Sequence, residues 1–247
     1  MSPQRSGDRA ADELRPTTIE PGFVATATGS ALISCGGTRV ICTASVQESV
    51  PRWMHGQGRG WLTAEYGMLP ASTGERKQRD ITRGKADGRT IEIQRLIGRS
   101  LRGVVDFEAL GERTIYVDCD VLQADGGTRC ASITGAFVAL VEGLRQKRRP
   151  GASAELPVTD YVAAVSVGKV GEAILLDLNY EEDSTAHVDM NIVKTGRGRF
   201  VEVQGTAEGR PFSEEELAAL MAVAGDGIRE LVAMQKQALG GFEPKAG

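Results

Sequence analysis

The chain has 247 residues, 41% of them hydrophobic, enough for one large domain or two small ones around a packed core. Its net charge of −4 gives no general attraction for a nucleic acid, and no run approaches the ~18 apolar residues a bilayer span needs. The opening stretch MSPQRSGDRAADELRP lacks a signal-peptide core. Cys35, Cys42, Cys119 and Cys130 show no CxxC or metal-finger spacing and read as buried thiols. A cytoplasmic protein with no membrane partner is the expectation.

In chain order, residues 1–15 read as a flexible tail, and ALISC and TRVICTASV follow as two β-branched runs joined by Gly36-Gly37. Glycines tolerate the positive φ of a tight two-residue turn, so this pair predicts a hairpin. WLTAEYG predicts a third strand. LPASTGERKQRDITRGKADGR is long, polar and aperiodic, hence a loop, and loops of that length are usually functional or disordered. RTIEIQRLIGRSLRGVV places Ile93, Leu96, Ile97 and Leu101 at helical spacing. ERTIYVDCDVL reads as a buried strand and CASITGAFVALVEGLRQK as a helix with an apolar face. YVAAVSVGKV, AILLDLNY, HVDMNIV and RFVEVQG then read as four strands. Ser213 and Glu216 form a capping box opening the last helix, which runs towards Leu239. The pattern is α+β, with mixed sheets and packed helices rather than an alternating doubly wound sheet. The division expected is a single catalytic domain over 16–239 between tails at 1–15 and 240–247.

Three features carry chemistry. From Arg76 to Arg102 nine Lys/Arg face three acids, a local +6 that leaves −10 on the remainder; such a field suits an enzyme handling a polyanion. GGTR occurs twice, as Gly36–Arg39 and Gly126–Arg129. The first copy is simplest as the hairpin tip. The second follows a buried strand and opens a helix, where free N–H groups and the helix dipole attract anions and Arg129 offers a planar fork. These four residues alone leave open an ordinary strand-to-helix turn with Thr128 as N-cap. Finally, DLNYEEDSTAHVDMN holds five carboxylates, with Asp183 and Asp189 flanking a short polar turn. Two convergent carboxylates suit Mg²⁺, which keeps several waters and phosphate oxygens; a solvated acidic hairpin is the plainer alternative. His187 in the same turn reads as a bystander, and no Walker or dinucleotide glycine motif is present.

The stretches GQGRGWLTAEYGMLPAST, GRTIEIQRLIGRSLR, DCDVLQADGGTRCASITGA, DLNYEEDSTAHVDMN and VEVQGTAEG together resemble the ribonuclease PH family, over about residues 15 to 239. The resemblance implies a fold shared with a ribosomal small-subunit protein domain, assembled as a hexamer (a trimer of dimers). It implies phosphate-dependent 3′→5′ trimming of tRNA precursors, with inorganic phosphate as co-substrate and Mg²⁺ as metal. By the same resemblance Arg89, Gly127, Thr128 and Arg129 bind phosphate. Asp183 and Asp189 are the catalytic and metal-linked acids, and Arg76, Lys77, Arg79 and Arg83 contact RNA. A non-catalytic RNA-binding ring subunit of an exosome-like assembly is the alternative; it predicts erosion of the phosphate loop or of the acidic pair.

Overall fold

The computed structural model describes residue 5, residues 8–148 and residues 155–245. Two sheets organise them. The first has the order β1-β2-β3-β5-β4, and the second β7-β6-β8-β9.

The first sheet begins as a meander of β1 (Thr17–Pro21), β2 (Gly29–Cys35) and β3 (Thr38–Gln47). The hairpin between β2 and β3 forms as expected, with Cys35 opposite Thr38. Only Gly36 of its turn takes a positive φ, 55°; Gly37 is needed for space, because a Cβ there would lie 2.7 Å from Asp125 Oδ2. β3 alternates buried and exposed along its length, the signature of a strand with one face on the core. β4 (Trp61–Met68) pairs parallel with β5 (Thr114–Gln123). The crossover between them contains the basic loop, a four-residue helix α1 (Asp80–Arg83), the long helix α2 (Gly88–Arg102) and a short α3 (Phe107–Leu110). The loop predicted from polarity is therefore interrupted by one helical turn.

β5 leads through Gly126-Gly127 into α4 (Thr128–Gln146), whose residues are buried on nearly every side. A helix apolar all round must be enclosed. α4 packs on β2 and β3 of the first sheet and on β6 (Val162–Val170) of the second. One hydrophobic cluster runs through both sheets, including Ile33, Leu62, Ile97, Phe137, Val165 and Ile192. The second sheet continues with β7 (Ala173–Leu176), helix α5 (Tyr180–Thr185), β8 (Val188–Thr195) and β9 (Phe200–Ala207). The strand expected over AILLDLNY stops early. Asp177 sits at φ 53°, where a strand cannot continue, and Asn179 with Glu182 forms a capping box that starts α5 instead. The Ser213–Glu216 box opens α6 (Glu214–Ala238) as predicted.

Among the described residues, the segments near both ends are tied to the body where composition suggested loose tails; residues 1–4, 6–7 and 246–247 of those tails lie outside the described residues. Arg5 and Arg15 are buried. Arg5 donates to Glu182 (2.8 Å) and to the Leu176 carbonyl (2.6 Å). At the other end Phe242 is buried against Tyr161, and Lys245 N–H donates to the Val158 carbonyl (2.8 Å). Buried guanidinium groups and a buried aromatic ring anchor segments whose sequence looks polar.

All four cysteines are free and buried. Burial pushes the Cys35 and Cys130 thiols up to about 12. No helix among the described residues is long and apolar enough to cross a membrane.

Candidate active site

The candidate residues meet where the two sheets adjoin. At the end of β5 the chain turns through Gly126 (φ 73°) and Gly127 (φ 65°), both in the left-handed region that glycine tolerates. Gly127, not Thr128, is the N-cap of α4, and no side chain caps this helix. Thr128 Oγ1 instead shares a hydrogen bond with the Tyr66 hydroxyl from β4 (2.9 Å). No side chain caps the first-turn N–H groups of α4, and such a helix start, at the positive end of its dipole, suits an anion.

Arg129 lies beside them, its side chain only 14% exposed. Its Nη1 donates to Gln204 Oε1 on β9 (2.7 Å) and reaches Glu92 Oε1 on α2 (3.4 Å). Gln204 in turn donates to the same Glu92 oxygen (2.7 Å). Three elements therefore aim one guanidinium. Arg89 is exposed on the first turn of α2, whose N-cap Asp87 accepts from the Arg89 N–H (3.4 Å). Arg89 and Arg129 both lie close enough to Tyr66 for their charges to favour its phenolate, yet burial wins and holds the phenol above its ordinary value.

The acids approach from the other half. Asp183 sits on α5, and Asp189 is half-buried on β8 between Gly168 of β6 and Thr206 of β9. The Asp183 carboxyl is held above its usual range, first by partial desolvation and then by the negative charge of Asp189; Arg89 and Arg129 oppose the shift. Asp183 is itself exposed on α5. All four charged groups therefore share one electrostatic neighbourhood. A cation beside the two carboxylates would relieve the repulsion that Asp189 exerts on Asp183. Among the described residues no group of three His, Cys, Asp or Glu is placed to hold a metal ion; two carboxylates alone would suit only a hard ion that keeps most of its shell as water or phosphate.

The basic loop flanks this centre. Arg76 and Arg79 are exposed, and Lys77 pairs with Asp87 Oδ2 (3.1 Å). Arg83 lies on α1, and its side chain falls outside the described residues. A cavity of about 370 Å³ between the loop and β4 is lined by Tyr66, Lys77, Arg79, Asp80, Thr90 and Asp120, among others. The loop and the tyrosine bonded to Thr128 thus line one cavity.

Several supporting residues escaped the sequence reading: Tyr66, Glu92 and Gln204 around Arg129, and Thr38, the hydroxyl of the first GGTR. Thr38 Oγ1 donates to the Gly126 carbonyl (2.7 Å) and accepts from the Asp125 N–H (2.8 Å). The hairpin copy braces the helix-opening copy. No local pattern announces this, because residues 38 and 126 meet only across the sheet.

The profiles of known families agree with this architecture. The 3′ exoribonuclease family, domain 1, matches residues 13–143, and domain 2 of the same family matches residues 160–227. The chain is 58% identical over 243 residues to the ribonuclease PH of Moorella thermoacetica, covering 98% of this chain and 97% of that one. It is 55% identical over 242 residues to the ribonuclease PH of Bacillus subtilis, covering 98% and 99%. Among solved structures, the Archaeoglobus fulgidus exosome with RNA bound to the active site superposes with a TM-score of 0.78 at 25% identity, over 94% of this chain and 92% of that one. Rice Rrp46 gives 0.79 at 15% identity over 96% and 100%, a likeness of fold alone. With both family domains present in order and more than half its residues identical to these bacterial relatives along nearly their whole length, the chain belongs to the ribonuclease PH family of 3′ exoribonucleases.

Proposed function

We propose that the chain trims the 3′ ends of tRNA precursors by phosphorolysis, acting in the cytoplasm as a hexameric ring. Phosphorolytic 3′→5′ exonucleolysis is the activity of its family; the tRNA substrate, the ring and Mg²⁺ are our reading. The observation that carries it is the convergence of an uncapped helix N-terminus, two arginines and two acids at one place.

Nucleophile and target are both anions, so the site must first overcome their repulsion. Arg129, Arg89 and the N–H groups opening α4 hold inorganic phosphate. One of its oxygens attacks the phosphorus of the 3′-terminal phosphodiester. The bond to the preceding 3′-oxygen breaks, a nucleoside diphosphate leaves, and the shortened chain regains a 3′-hydroxyl. Asp183, whose carboxyl is held above the ordinary range, is suited to give that oxygen its proton. Mg²⁺ would be held by Asp189, joined by Asp183 only when that carboxyl is ionised and not acting as the acid, and would supply charge neutralisation at the scissile phosphate. Exposed Arg76 and Arg79, with Lys77 and Arg83, lie along the path of the RNA body. Neither the cradle nor the acidic pair is eroded, which disfavours a non-catalytic ring subunit. The test is incubation of purified protein and Mg²⁺ with a labelled tRNA precursor, with and without phosphate. Nucleoside diphosphates formed only with phosphate are expected. Monophosphates formed regardless of phosphate would make the chain a hydrolase and overturn the reading.

A further inference from the structure

Behind the cradle lies a charged assembly that none of these roles uses. Arg15, 5% exposed, grips both carboxylate oxygens of Asp177 with one edge of its guanidinium: its Nε donates to Oδ2 (2.9 Å) and its Nη2 to Oδ1 (2.7 Å), while its backbone N–H donates to Oδ2 (2.8 Å). Its remaining nitrogen, Nη1, donates to the carbonyl of Asp125, the residue just before Gly126. A Cβ on Gly127 would lie 2.9 Å from Arg15 Nη2, so the guanidinium lies directly against the N-cap of α4. Asp177 is the left-handed residue that ends β7 and sends the chain into α5.

Asp125 completes the span. Its N–H donates to Thr38 Oγ1 (2.8 Å), its carbonyl accepts from Arg15, and its carboxylate accepts from the N–H of Tyr180, the first residue of α5 (3.3 Å). The two backbones touch: a Cβ on Gly126 would lie 2.6 Å from the Leu178 carbonyl oxygen. We infer that Arg15, Asp125 and Asp177 form a spacer that fixes the distance between the phosphate cradle on α4 and the acid helix α5, and so are positioning residues for phosphorolysis. The inference rests on the reading of Gly127–Arg129 as the cradle and Asp183 as an active acid.

A buried, fully bonded ion pair is poor evidence for stability alone, because desolvation offsets the attraction. Here the pair is bidentate, and its third arm goes to a backbone carbonyl of the cradle loop. That geometry fixes direction. A misplacement of about 1 Å between reacting groups costs roughly 10²-fold in rate, and groups that orient ligands from behind are typically worth about 10- to 100-fold.

The test compares Arg15→Lys, Asp125→Ala and Asp125→Asn with a conservative core variant, Ile33→Val. Steady-state phosphorolysis is measured at saturating RNA across phosphate and Mg²⁺ concentrations, at a temperature where melting curves show every variant folded. Arg15→Lys keeps the charge but loses the fork, and Asp125→Ala loses the carboxylate that receives Tyr180. Both should raise the KM for phosphate and lower kcat, about tenfold or more together. Asp125→Asn, whose amide oxygen can accept the same bond, should recover most of the loss, and Ile33→Val should change neither constant beyond twofold. Losses in Arg15→Lys and Asp125→Ala no larger than in Ile33→Val would overturn the inference. Arg129→Ala runs alongside: if it leaves the KM for phosphate unmoved, the cradle assignment itself fails, which is a separate outcome.

Discussion

Replacing Arg129 by alanine separates catalysis from folding. In the fold, Arg129 makes one hydrogen bond to Gln204 (2.7 Å) and a long ion pair with Glu92, which is 48% exposed. Exposed pairs are worth about 0–1 kcal/mol. Glu92 and Gln204 keep each other after the truncation, since Gln204 donates to Glu92 directly (2.7 Å). The stability loss should therefore stay near 1 kcal/mol, roughly 2–4 °C in Tm for a chain of this size. On the reaction side, a charged hydrogen bond contributes about 1.5–3 kcal/mol, and a preorganised donor lost from a transition state costs about 10²–10³ in kcat. The assay is release of nucleoside diphosphate from a short single-stranded RNA, with initial rates taken across phosphate concentrations and melting curves run beside it. Arg39→Ala supplies the comparison. Arg39 is exposed on β3, opposite Ser34, so its loss should change the rate less than twofold. Equal losses in the two variants, or an Arg129→Ala enzyme with normal phosphate saturation, would refute the claim that the helix-opening copy alone holds phosphate.

Asp183→Asn and Asp189→Asn should each abolish phosphorolysis, and titration of the residual signal with Mg²⁺ should show an altered requirement in at least one; normal turnover in both would reduce the pair to surface decoration. Because the folded state holds the Asp183 carboxyl above its ordinary value, ionising it costs stability, a penalty that sets in as pH rises from that ordinary value through the raised one. Melting of the metal-free protein at neutral pH should therefore show Asp183→Asn no less stable than the parent, with the difference vanishing in acid where the aspartic acid is neutral too. Alanine at Arg76, Lys77, Arg79 and Arg83 should flatten the dependence of log tRNA affinity on log salt by about 2–3 units, each phosphate contact carrying roughly 0.7–0.9 and Lys77 being partly committed to Asp87; phosphorolysis of a short oligonucleotide should survive, and an unchanged slope would remove the loop from the RNA path.

Elements whose signals are local were legible in the chain itself. The β2–β3 hairpin, the α2 periodicity and the Ser213–Glu216 cap each depend on neighbours within a few positions and form where expected, whereas α4 forms but is buried on nearly every side rather than on one apolar face. The short helix α5 was missed although Asn179 and Glu182 carry its capping box, because the apolar run before it masked the break at Asp177. The N-terminal segment was misread for a different reason. Arg5, Arg9 and Arg15 look like solvated charge in sequence, and only the fold reveals the carboxylates of Asp177 and Glu182, more than 150 positions away, that let them be buried. Desolvation pushes the Glu182 carboxyl up, yet it stays below its ordinary value because Arg5, the Asn179 N–H and Arg9 outweigh that burial. Site residues followed the same division. The GGTR motif and acidic stretch could be seen, whereas Tyr66, Glu92 and Gln204, which aim them, belong to other strands and helices.

The contact between Gly126 and the backbone at Leu178–Tyr180 also bears on how the centre could be damaged. The glycine turn comes from the first half of the chain and the candidate acids from the second, so the two sets of groups face each other only across this seam. A change that parts the two backbones there would disarm the centre while leaving every one of its side chains in place. The seam is a hinge pin that no inventory of side chains would reveal.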